Sequence, residues 1–288
     1  MVHALAVKHR LVACYLIWFP KLEIAAPTRE QLQESMDHGC LEALTESQRR
    51  LLAAITWGIT ALHYSNHHSI SIHPASVFEE LVVRCHDGYC MENTNLFYMV
   101  LWFLGYQVYA TGSRVSRTVV SGDPTKESYI SLSNMLLIVT IAGQKYMNTT
   151  APLITPSQMS LIKALLADFM DQTQKVWIYQ ARSDSQSPWV PQYSYDKPFY
   201  FTSKSRAMLF TQTLACTRVI LDDHNSAPIG IYIFLGERSR GYFVGRPKSC
   251  EPSIRRRIES ALVEYFDMHF HAHEIEGTRG IPSQIECR

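Results

Sequence analysis

The stretch 83-VRCHDGYCMENTNLFYMVLWFLGYQV-108 decides the fold. Asp87-Gly88 forms a turn, and Cys90 opens an apolar run with Leu96, Phe97, Val100, Leu101 and Leu104 at helical spacing. Gly105 supplies the stop. A cysteine at a helix start feels unpaired amides and the positive end of the helix dipole, both of which favour the thiolate. Such a thiol becomes a nucleophile when a histidine takes its proton and an acid orients that histidine. A cysteine in an apolar run is otherwise a small core residue.

Working outward, residues 28–56 read as a helix capped by Thr28, with Leu41, Leu44, Leu51, Leu52 and Ile55 three or four apart. Beyond Gly105 the texture turns to strands: "YQVYATGSRVS", a hairpin in "YISLSNMLLIVTIAGQKYMNTT" turning at Ala142-Gly143-Gln144, "KVWIYQAR", "FTQTLACTRVIL", and a second hairpin around Gly236-Glu237-Arg238. "RSDSQSPWVPQ" reads as a loop. A last helix is expected in "EPSIRRRIESALVEYF", capped by Ser249, with Ile254, Ile258, Leu262 and Phe266 on one stripe. Helices, then strands, then strands plus a helix indicate an α+β protein.

The 288 residues are 47% hydrophobic and carry a formal charge of +1, which excludes a global bias toward nucleic acid or anionic membrane. Arg255-Arg256-Arg257 is read as a solvated helix face. Seven cysteines without close spacing point to reduced thiols and a cytoplasmic protein. The apolar start is broken by Lys8, His9 and Arg10, so neither a secretory signal nor a membrane helix is expected. His63, His67, His68 and His73 match no metal-ligand spacing and are read as a solvated loop; no metal is expected. Tyr98, Trp102 and Phe103 are read as helix core, and Phe97 as near enough to Cys90 to line a pocket.

"GYCMENTNLFYMVLWFLGYQVYATGSRV" closely resembles the nucleophile region of arylamine N-acetyltransferases, especially fungal-type members. The similarity extends to "LHYSNHHSISIHPASVFEELVVR", "NMLLIVTIAGQKY" and "LFTQTLACTRV", and weakly to the last helix. It implies an N-terminal helical bundle (1–105), a central β-barrel (106–205) and a C-terminal α/β lid (206–288), with a cysteine-protease-like core. The active site would lie between the first two. In that family a Cys-His-Asp triad takes acetyl from acetyl-CoA and passes it to an aromatic amine or hydrazine.

Cys90 matches the nucleophile, but Asn134 stands at the histidine position and Thr149 at the aspartate position, beside Asn148. The family's Arg-Gly-Gly becomes His86-Asp87-Gly88. Its Pro-Phe-Glu-Asn becomes "TWGI", with Gly58 at the glutamate that usually pairs with the arginine. The segment between "SYD" (194–196) and "FTSKS" (201–205) looks shortened. Asparagine cannot take a proton from a thiol near neutral pH, and triad members act as a unit. His86 and Asp87 are candidate substitutes for the missing base and acid.

Three functions follow from this. In the preferred one, a repurposed secondary-metabolism enzyme cyclises or rearranges a small apolar or aromatic substrate without a cofactor, using donors such as Asn134, Thr149 and Tyr89, with Phe97 and Asn148 lining the cleft. The alternative is an acyltransferase moving an acyl group from acetyl-CoA or another acyl-CoA to an amine or alcohol through Cys90, with an altered proton path. The third is a non-catalytic ligand-binding protein.

Overall fold

The computed structural model describes residues 29–117, 128–149, 158–165, 173, 175–195, 212–222, 224, 227–236, 238–243 and 258–281. Helix α1, Arg29–Ala54, leads into a short strand β1, Trp57–Gly58, and a 3₁₀ turn, Thr60–Leu62. Helix α2, Pro74–Phe78, starts on proline and continues as a π-helical turn, Glu79–Val83. Proline suits this place because its missing N–H would be unpaired there anyway. Helix α3 is Cys90–Phe103. Gly105, at φ +89°, ends it in the left-handed conformation that favours glycine.

Strands β2 (Gln107–Ser116), β3 (Tyr129–Ile141), β4 (Gln144–Asn148), β5 (Gln158–Leu165), β6 (Lys175–Arg182) and β7 (Val190–Tyr195) form one sheet. Its order is β4-β3-β2-β7-β6-β5. Strands β8 (Ala215–Leu221), β9 (Pro228–Leu235) and β10 (Arg238–Phe243) form a second sheet with β1, in the order β1-β8-β9-β10. Helices α4 (Ile258–Phe266) and α5 (Ala272–Glu276) follow.

The larger sheet is open, where the resemblance implied a closed barrel: β4 and β5 are its two edges, and among the described residues they do not pair. The hairpin turn is Ala142-Gly143, since Ile141 pairs Gln144. Part of the expected loop 182–192 is strand, because β7 pairs β6 from Val190 onward. Strand β5 was not expected; most of its side chains are exposed, so no alternation announces it. Thr28, Ser249, Ile254, Arg255–Arg257 and the 196–205 segment lie outside the described residues.

One apolar core packs α3 residues Leu96, Phe97, Val100 and Leu101 on Leu137 and Val139 of β3, closed by Val77 and Leu81. A second joins Ile59, Tyr89 and Met91 to Cys216, Phe234 and Leu262. The start of α3 lies between the two. Trp102, expected in the core, is 52% exposed, because it lies on the α3 face turned away from β3. His67, His68 and His73 are exposed as expected, but His63 is buried at the end of the 3₁₀ turn, its backbone N–H bonded to Thr60 O at 2.8 Å. Among the described residues no group of three or more His, Cys, Asp or Glu is placed to hold a metal ion, and no helix is long and apolar enough to cross a membrane.

Candidate active site around Cys90

Tyr89, extended at φ −80° and ψ 177°, is the N-cap of α3, and Cys90 is its first helical residue. Glu92 folds back so that its Oε2 accepts the Tyr89 N–H at 3.1 Å, satisfying one donor that the helix itself leaves open. Cys90 is a half-buried residue, and its sulfur faces the backbone N–H groups of Met91, Met135 and Cys90 itself. Burial pushes the thiol up to about 12; the three amides pull the other way, and the Glu92 charge adds to the rise. Burial also pushes Glu92 up to about 8, opposed by the Tyr89 N–H and reinforced by Asp87 and Glu80.

Helix and strand are locked together here. The Thr94 hydroxyl donates to Met135 O at 3.2 Å, one turn along α3 from the Met135 amide that faces sulfur. The structure therefore brings Cys90 against the Asn134–Met135 step of β3. Asn134 is 5% exposed and pairs Ser113 across the β2–β3 ladder, so the two side chains share a face. Among the described residues Asn134 Nδ2, Ser113 Oγ and Asn148 Oδ1 are buried without a hydrogen-bond partner. Asn148 pairs Leu137. Continuing that register one step sets Thr149 opposite Leu136, on the Asn134 side of the sheet. Thr149 is buried, and its carbonyl accepts Gln48 Nε2 of α1 at 2.7 Å.

The side chains of His86 and Asp87 turn to other partners. His86 Nδ1 lies 3.1 Å from Glu80 Oε2, and Nε2 lies 3.1 Å from His269 O, so both ring nitrogens are engaged by acceptors. Asp87 accepts the Thr60 N–H at 3.1 and 3.3 Å, the Thr60 hydroxyl, and the Cys216 thiol at 3.3 Å. Burial raises the Asp87 pKa, while these bonds and the His86 charge oppose the rise. Burial and the neighbouring Asp87 hold the Cys216 thiol well above its ordinary value. Tyr89 belongs to the second core and Phe97 is wholly within the first. Glu92, Glu80, Arg84 and His86 line a separate cavity of about 340 Å³, together with Ser65, Ser69 and Ser71 of the preceding loop. Met135, Thr94, Thr60 and Cys216 were not singled out in the sequence, and no local pattern marks them.

The family model described as N-acetyltransferase matches residues 40–225. The chain belongs to the arylamine N-acetyltransferase family. It is 25% identical over 289 residues to the N-malonyltransferase FDB2 of Fusarium pseudograminearum (strain CS3096), covering 85% of this chain and 83% of that protein. The Gibberella moniliformis protein of the same name is 25% identical over 254 residues, covering 74% and 73%. Among solved structures, the arylamine N-acetyltransferase of Mycobacterium abscessus superposes with a TM-score of 0.63 at 16% identity, covering 92% of this chain and 93% of that one. The Salmonella typhimurium enzyme gives 0.62 at 17%, covering 93% and 97%. These structures share the fold of this N-acetyltransferase family member, with its mixed helices and sheets.

Proposed function

We propose that this N-acetyltransferase family member is an acyltransferase that uses acyl-CoA as a substrate and carries the acyl group on Cys90. The observation behind this is the convergence of the Met91, Met135 and Cys90 amides on the Cys90 sulfur at the start of α3. Those amides favour negative charge on sulfur without a histidine. The Cys90 thiolate attacks the thioester carbonyl, and the coenzyme leaves as its thiol, taking up the proton that Cys90 gave to solvent. An amine then attacks the Cys90 thioester, forming the amide and returning the thiol. The 25%-identical relatives named as N-malonyltransferases favour malonyl as the group moved and nitrogen as the acceptor; an aromatic amine is what the family resemblance suggests.

With Asn134 and Thr149 at the positions of base and acid, thiolate must arise by direct ionisation. The acylation rate should therefore climb about tenfold per pH unit from neutrality toward the raised thiol value. The division into a helical part, a β-sheet part and a C-terminal α/β part at 105 and 205 belongs to the same proposal.

A second reading has its own observation. A thiol held up to about 12, with Asn134 and Thr149 at the positions the resemblance gives to base and acid, also suits a cleft that cyclises or rearranges an apolar substrate with no acyl-enzyme. Intact-mass measurement after incubation with malonyl-CoA and with acetyl-CoA separates the two. A Cys90-linked adduct that forms faster with rising pH and is absent from Cys90→Ser supports the transferase. A wild type that stays unmodified across that range would sink it. Asn134→His with Thr149→Asp should then bring the acylation optimum down toward neutral pH.

A further inference from the structure

A buried carboxyl three residues before Cys90 takes no part in the transfer proposed above. Asp87 is 4% exposed, and its oxygens bond to the Thr60 amide and hydroxyl and to the Cys216 thiol. Those partners stand on the 3₁₀ turn and on β8. The backbone alongside is tied as well: the Gly58 N–H donates to Gly88 O at 3.1 Å, and the Gly88 N–H donates to Thr56 O at 3.1 Å.

Space makes the arrangement specific. Gly58 pairs Cys216 across β1 and β8. A Cβ added to Gly58 would lie 1.8 Å from Asp87 Oδ2 and 2.9 Å from Cys216 Sγ. The Asp87 carboxyl thus occupies the room that the absent side chain leaves. A Cβ on Gly88 would lie 2.6 Å from Asn93 Oδ1 and 2.7 Å from Leu81 Cδ2, which presses the same turn against α3 from the other side. A carboxyl is costly to bury unless it is hydrogen-bonded, and here its bonds join three separate segments of chain.

We propose that Asp87 is a positioning residue for Cys90: seated over Gly58 and bonded to Thr60 and Cys216, it fixes the 86–89 turn so that α3 begins with the Cys90 sulfur at the Met91 and Met135 amides. It exchanges no proton with sulfur. Its effect is to hold sulfur in the desolvated place where those amides reach it.

The test uses the whole protein without acyl-CoA, so its outcome is independent of the transfer reaction. Iodoacetamide alkylation of Cys90, in which sulfur displaces iodide and the thiol proton leaves, is followed by peptide mass at one mildly alkaline pH. Asp87→Ala and Gly58→Ala should each speed Cys90 alkylation by about tenfold or more, because freeing the turn relieves the burial that holds the thiol neutral. Asp87→Asn retains the shape and an acceptor for Thr60, and should stay within about threefold of wild type. Thermal unfolding is recorded for each variant, and alkylation is measured below the transition. Unchanged Cys90 alkylation in folded Asp87→Ala and Gly58→Ala would overturn the proposal, even if both unfold at lower temperature. So would an Asp87→Asn variant as reactive as Gly58→Ala, and that comparison stands if Asp87→Ala does not fold.

Discussion

Glu92 is the third residue of α3, with its carboxyl bonded to the Tyr89 N–H and otherwise buried. Its pKa rises from 4.5 to about 8, chiefly through burial. The unfolded chain therefore releases this proton first, and the native state resists releasing it. The contribution to stability is full below pH 4.5 and falls as pH rises through about 8. A shift of that size corresponds to a loss on the order of 5 kcal/mol. Glu92→Gln keeps an acceptor for Tyr89 and cannot ionise. Urea unfolding should show wild-type stability dropping more steeply between pH 4.5 and 8 than the variant's, with the variant the more stable at the alkaline end. Parallel curves for the two proteins would refute the assignment. Cys90 follows the same sign at higher pH: its contribution is complete below about 9 and lost toward 12.

At the scale of elements, the β3–β4 hairpin supports one face of the site, and its two-residue turn is under-optimised. Ala142 has φ 49° and Gly143 φ 78°, so both residues are left-handed, as in a type I′ turn. Glycine adopts that conformation freely, whereas alanine there costs about 1 kcal/mol. Ala142→Asn should raise stability by about 1 kcal/mol, read as a higher denaturant midpoint with an unchanged slope. A lowered midpoint would mean that the turn geometry is different. The hairpin, the α3 start and strand β6 were all legible because each rests on local chemistry: turn residues, a cap and an apolar period. Strand β5 was not, because an edge strand with mostly exposed side chains leaves no alternation to read.

Across the whole molecule, the C-terminal segment is fastened beside the candidate site by charge and aromatic contacts. Arg84 holds Glu274 through two bonds of 2.6 and 2.7 Å, and Phe270 lies 4.5 Å from the Tyr64 ring and 4.8 Å from the His86 ring. The Arg84 bonds and the His271 N–H outweigh burial and hold Glu274 down at about 2. A depressed carboxylate stabilises the fold above its ordinary value of 4.5, and that contribution is lost as pH falls toward about 2. Glu274→Ala should cost about 1–3 kcal/mol at neutral pH and less in acid, with a double-mutant cycle against Arg84→Ala giving the coupling. Equal losses at both pH values would show that packing, not charge, fastens the segment.

The sequence by itself determined the alternation of helical and strand-rich stretches and the placing of Cys90 at a helix start. Those properties lie in residue identity or in neighbours within a turn or two. Only the tertiary structure decided what the remaining ionisable groups do. Asp87 and Cys216 are 129 positions apart, and His86 and His269 are 183 apart, so no local pattern could show that His86 and Asp87 are committed to partners other than Cys90. The same holds for the Cys90 thiol itself. Its helix start predicts a lowered pKa, and the burial created by two cores meeting at that point reverses the sign.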